Sequence, residues 1–253
     1  MRLTLHFLIL SYCLLYLSSC ATRTLTKSYD SVSTKKIYSL SVGDAAKPQE
    51  WEVFNDLISI KSDNQQLVWK TIKGEQYLLV ASWKADTSYY KNDPKTGFYN
   101  TGKYPIWVSA APQLQQLCQS SKFGLKEGVD LRLKQLLGMP PDVDKQYFVE
   151  FWVRPQDLFR PCPDPEITDK SCGLAFPKDT EEAHISWINN QRLASYYNPI
   201  WNQNYPWTEL GYTYDWNPKN KTHIGVSEFI IANNANIVIK GFQTTAQYCN
   251  CTE

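Results

Sequence analysis

The most constraining stretch of the chain is residues 147–154, Tyr-Phe-Val-Glu-Phe-Trp-Val-Arg. Aromatic and β-branched residues crowd together there, and they suit an extended, packed backbone far better than a helix. The run predicts a central strand that ends where Pro155 follows. Around it, residues 66–71 and 75–83 are rich in Leu, Val, Ile, Tyr and Trp and are separated by Lys73-Gly74, which predicts a hairpin. A further strand is expected at 104–109. Near the C-terminus, 211–216, 225–231 and 236–242 read as strands, the last two joined by Ala-Asn-Asn-Ala, because Asn tolerates the left-handed backbone of tight turns.

Helical patterns lie between these strands. Pro112 opens 113–120, where Leu114, Leu117 and Cys118 share a face, and 125–137 repeats the pattern until Gly138 and two prolines stop it. A third helix is expected from Asp179, capped with the help of Glu182, to about residue 194. The tract 89–104 carries turn residues and five tyrosines or phenylalanines. It predicts a long loop whose aromatic rings lie as lids on the core. Strands dominate with helices interposed, so the expected fold is α+β: a single, mainly antiparallel sheet domain with several helices, tied by disulfides, over residues 49–253.

Five cysteines lie beyond residue 20, at 118, 162, 172, 249 and 251. Cys162 and Cys172 flank a Pro-rich acidic loop that has little apolar packing of its own, and they are expected to pair. Cys118 then joins Cys249 or Cys251, leaving one thiol over. The spacings do not match zinc knuckles, so no metal site is expected.

The first residues carry one positive charge, Arg2, and an apolar stretch from Leu3 to Leu17. That is the n-region and h-region of an export signal, too short for a spanning helix. It ends in Leu17-Ser18-Ser19-Cys20, which resembles the lipobox of bacterial lipoproteins. The resemblance implies removal of residues 1–19, acylation of Cys20 with palmitate-type chains, and a lipid-anchored protein outside the cytoplasm in the bacterial cell envelope. Residues 20–48, polar and rich in hydroxyls, read as a flexible tether whose later part forms an edge strand if any structure. Loss of Arg2 from the 26 basic residues leaves equal numbers of each sign, 25. No basic field is present to attract nucleic acid.

No strong catalytic motif occurs, and no cofactor is called for. His184 and His223 are the imidazoles of the processed chain. His184 is the stronger candidate, on the expected helix with Gln191. Glu228 stands inside an apolar strand and shares a face with Val226 and Ile230, where a carboxylate needs a partner or a cleft that raises its pKa. The stretch Glu228-Phe229-Ile230-Ile231 followed by Ile237-Val238-Ile239, with Arg154 closing the run at 147–153, resembles the C-terminal hairpin and early-strand Arg of ADP-ribosyltransferases and NAD-cleaving toxins. It implies Glu228 as catalytic carboxylate and Arg154 as dinucleotide holder. Val226 stands where many of those enzymes carry a second Glu or Gln. The architectural alternative pairs Arg154 and Arg160 with Asp157, Asp164 or Glu166, and gives Glu228 hydrogen bonds from Tyr212 or Trp216. The leading expectation is a membrane-anchored binding or envelope module taking a glycan, peptide or protein ligand. The runner-up is an enzyme using Glu228 with Arg154 or His184, either NAD-cleaving or a hydrolase.

Overall fold

A computed structural model describes residues 31–197 and 204–250. In chain order the first half contains helix α1 (Ser31–Ala45), strands β1 (Trp69–Ile72), β2 (Glu75–Lys84), β3 (Tyr99–Asn100) and β4 (Ile106–Ala110), helices α2 (Ala111–Cys118) and α3 (Val129–Leu136), and strand β5 (Tyr147–Val153). The second half adds β6 (Leu158–Phe159), α4 (Glu182–Tyr196), β7 (Tyr212–Tyr214), β8 (Ile224–Ser227), β9 (Phe229–Ile231), β10 (Asn236–Thr244) and α5 (Thr245–Tyr248). One curled sheet runs β3-β10-β5-β2-β4-β9-β6, with β1 sharing an edge of β2 with β4, and β7 and β8 form a separate pair. Every pairing is antiparallel. The fold is the expected α+β, mainly antiparallel domain.

The run at 147–153 has its apolar character because both faces of β5 are covered. Val149, Phe151 and Val153 meet Leu78, Val80, Val108, Ile231 and Ile237 in one core. Phe148 and Trp152 point the other way, to Tyr77, Leu79, Trp83 and the residues of α2, α3 and α5. Alternation along a strand sends neighbours to opposite faces, so a strand buried on both reads as a continuous apolar run. Glu150 falls on the second face, nearly buried, and the Lys240 ammonium meets its carboxylate at 2.8 Å. The β1–β2 hairpin turns at Lys73 and Gly74, both left-handed at φ 50° and 85°, as a tight two-residue turn requires. From the expected loop, Tyr90 and Tyr99 pack onto the first core and Phe98 onto the second, while Tyr89 and Tyr104 are exposed.

Two disulfides join Cys118 to Cys249 and Cys162 to Cys172. The first fastens the end of α2 to the turn after α5. Just before the loop closed by the second, Arg160 is fully buried and reaches into it, donating from Nε to Glu166 O at 3.0 Å and from Nη2 to Asp169 O at 3.1 Å, with its guanidinium over the Phe229 ring. Arg160 thus orders the proline-rich loop mainly through backbone carbonyls and Asp169, rather than through the carboxylates of Asp164 or Glu166.

Three expectations are corrected. The stretch read as a flexible tether is helical over Ser31–Ala45 and docked on the domain. Thr34, Ser41 and Ala45 are buried along one side of α1, Tyr38 meets the edge of Trp216, and Tyr214 donates to Asp44 at 2.7 Å. Small hydroxylated residues make that face, and Ser41 satisfies its own hydroxyl on Ile37 O one turn back, so the helix carries no apolar stripe in sequence. The α4 helix starts at Glu182 with Glu181 before it, and no side chain caps it. Finally, 225–231 is two strands: β8 pairs with β7, β9 pairs with β4 and β6, and Glu228 lies between them. Cys20 and Cys251 lie outside the described residues.

Candidate functional site

The break between β8 and β9 positions Glu228. Its backbone N–H donates to Gly211 O at 3.0 Å, which ties the crossing point to the turn before β7. Close approach of the backbones fixes β8: a Cβ on Gly225 would sit 2.7 Å from Leu136 O and closer still to Thr213. Thr213 completes the seam by donating to Leu136 O at 2.6 Å and accepting from Val226 N at 2.9 Å. The Glu228 side chain therefore leaves the seam between the two sheets and enters a cavity of about 350 Å³, within the size range of small-molecule sites.

Trp83 and Ala81 of β2 and Trp107 and Ser109 of β4 form one wall, and Trp207 crosses Trp107 edge-on at 6.2 Å. Gln191 and Ser195 of α4 stand opposite with Tyr205 and Tyr214, Gln191 donating to Ser195 at 3.0 Å. Among these aromatic and small polar groups Glu228 is 6% exposed, and its Oε1 is buried with no hydrogen-bond partner. Burial alone pushes its carboxyl up to about 8, with no neighbouring charge to offset the cost. A buried acceptor without a partner costs about 1–3 kcal/mol; the proton it holds at neutral pH avoids the larger cost of a buried charge.

Two lysines also line the cavity, Lys84 at the end of β2 and Lys145 before β5. Burial, and then the charge of Lys145, lowers Lys84 to about 8, and burial lowers Lys145. Among the described residues neither forms an ion pair. Glu228 and the two lysines thus line one cavity and, among the described residues, form no ion pair with one another.

The other two sequence candidates are elsewhere. Arg154 donates to Asp157 at 2.8 Å and 3.2 Å and to Glu75 at 3.3 Å, and the hydrogen bond to Asp157 is the chief cause of its raised pKa. His184 donates from Nε2 to Cys162 O at 2.8 Å and packs against Phe159 and Trp187. Neither lines the cavity of Glu228. His184 backs its wall at one remove, since Trp187 touches both Trp107 and Trp207. The expected hydrogen bonds to Glu228 are absent as well: Tyr212 donates to Glu52 O, and Trp216 to Lys134 O and Met139 O. Sequence reading found Glu228 from a carboxylate in an apolar strand. It missed Lys84 and Lys145, which end or precede strands as ordinary surface lysines do.

Among the described residues no group of three or more His, Cys, Asp or Glu could hold a metal ion, and no helix is long and apolar enough to cross a membrane. Compared with known proteins, the chain matches no family model, no curated protein and no solved structure.

Proposed function

We propose that this chain is a lipid-anchored protein of the bacterial cell envelope, acylated at Cys20, whose globular part binds a small organic molecule in the Glu228 cavity. The observation that carries the binding reading is a buried carboxyl with an unpartnered oxygen in a space lined by tryptophans. Such a group is retained against its cost where something other than the protein completes its hydrogen bonding. A small molecule suits a cavity of about 350 Å³ better than the glycan or protein ligand the sequence allowed. The envelope location is supported by the signal-like first residues and by two disulfides, which persist in oxidising compartments. The enzymatic alternative asked for Arg154 or His184 beside Glu228, and both are committed to other partners.

Titration of the purified protein with the neutral probe N-phenyl-1-naphthylamine tests the binding reading. Saturable one-to-one binding is expected, with energy transfer from tryptophan that falls in Trp107→Phe and Trp207→Phe. No saturable binding, or transfer unchanged in both variants, overturns it. For the anchor, labelled palmitate should enter the wild type and not Cys20→Ser; equal labelling of the two refutes acylation there.

A further inference from the structure

We propose that the ligand is a small zwitterion, its cationic group seated at Glu228 among the tryptophans and its anionic group at Lys84 and Lys145. This deepens the reading of the cavity as a small-molecule site and rests on it.

The Glu228 carboxyl has a buried oxygen with no hydrogen-bond partner among the described residues. Trp107 and Trp207 stand at the same cavity, and indole faces attract cations. A ligand ammonium supplies what both lack, a donor for the carboxylate and a charge for the rings. In the same cavity the partly dehydrated ammonium groups of Lys84 and Lys145 have no carboxylate partner among the described residues. A ligand anion supplies that partner. The remaining titratable groups of the lining are Tyr205 and Tyr214, whose phenols burial holds neutral by pushing them upward. Tyr196 on α4, close enough to feel Glu228, is pushed up in the same way, by burial and then by Glu209 and Glu228.

A singly charged ligand would satisfy either the acid or the lysines and leave the other uncompensated; a neutral one would satisfy neither. A zwitterion satisfies both and brings no net charge into a low-dielectric space. When the cation arrives, Glu228 releases its proton to solvent and becomes a carboxylate, and the lysines keep theirs. Affinity should therefore rise about tenfold per pH unit from about pH 6 toward pH 8, and the gain should cease above about pH 8, where Glu228 is already ionised and Lys84 discharges.

Titration calorimetry with ω-aminocarboxylates of four to eight carbons, against alkylamines and alkylcarboxylates of equal length, tests the proposal. At least one zwitterion should bind more than tenfold tighter than both singly charged analogues, releasing about one proton at pH 7 when measured in buffers of different ionisation enthalpy. Glu228→Gln should remove the preference for the amino group, and Lys84→Met or Lys145→Met the preference for the carboxylate. If no length shows the preference while the neutral naphthylamine probe still binds, the zwitterion proposal falls and the cavity reading stands. If neither class of probe binds, both fall.

Discussion

Replacing Glu228 by Gln should change how stability depends on pH more than it changes stability at any one pH. The carboxyl is held near 8 in the folded chain, against an ordinary value of 4.5. Below the lower value both states hold the proton and the folded state loses nothing. As pH rises through the interval, the unfolded chain releases the proton and the folded chain keeps it, so stability falls by about 1.4 kcal/mol per pH unit. Above the upper value both states are ionised and the penalty is constant. Between about pH 5 and pH 7.5 wild type should therefore lose about 3 kcal/mol through this one group. Gln has nearly the same shape and no titration, so the difference between the two proteins should grow in favour of Glu228→Gln by that amount across the window. Comparing the two at each pH cancels the other titrating groups and the constant cost of placing an amide there. Urea unfolding followed by tryptophan fluorescence at half-unit intervals measures it. Parallel profiles would show that Glu228 is ionised and satisfied in the folded protein, and would remove the physical basis of the cavity site.

The two disulfides should differ in weight. Cys118 and Cys249 are 131 residues apart and Cys162 and Cys172 only 10, so chain entropy gives about 5 kcal/mol to the first and about 3 kcal/mol to the second. Denaturant unfolding of Cys118→Ala/Cys249→Ala against Cys162→Ala/Cys172→Ala checks the order, and equal losses would contradict it. Gly225→Ala drives a methyl group into Thr213 and Leu136 O, and should cost about 3 kcal/mol. Gly43→Ala, in the exposed last turn of α1 with nothing near its would-be Cβ, should stabilise by up to about 1 kcal/mol. Thermal melts of both decide; a Gly43→Ala loss would argue against the docked helix.

Where local chemistry and the fold agree, the sequence was readable. Lys73-Gly74 marked its hairpin because only a tight turn suits that pair, and the pairing of Cys162 with Cys172 followed from a loop with no core of its own. The choice of Cys249 over Cys251 did not follow, because two residues separated by one are equivalent at that level. Helix α1 was hidden because its buried face is made of Thr34, Ser41 and Ala45, whose fit depends on Tyr38 and Tyr214 meeting partners more than 160 residues away in sequence. The division at Glu228 was also invisible. Alternation says which residues share a face, and it is silent on which of two sheets each half of a strand joins. The oddity of a carboxylate there was legible; Lys84 and Lys145, brought to the same cavity by long-range pairing of β2 with β5, were not.

The strand order has a consequence for how the molecule comes into being. β10, at residues 236–244, lies between β3 and β5 and covers the whole length of β5 except its last residue. A chain delivered N-terminus first, from a ribosome or through an export channel, has an unpaired interior edge until nearly all of it has emerged. Contacts this distant are slow to form, and half-formed sheets with open edges invite wrong pairings. Folding should thus be a late, concerted event, with partial chains remaining extended. Under the proposed export, such a chain would stay threadable through a narrow pore and close only after it had passed.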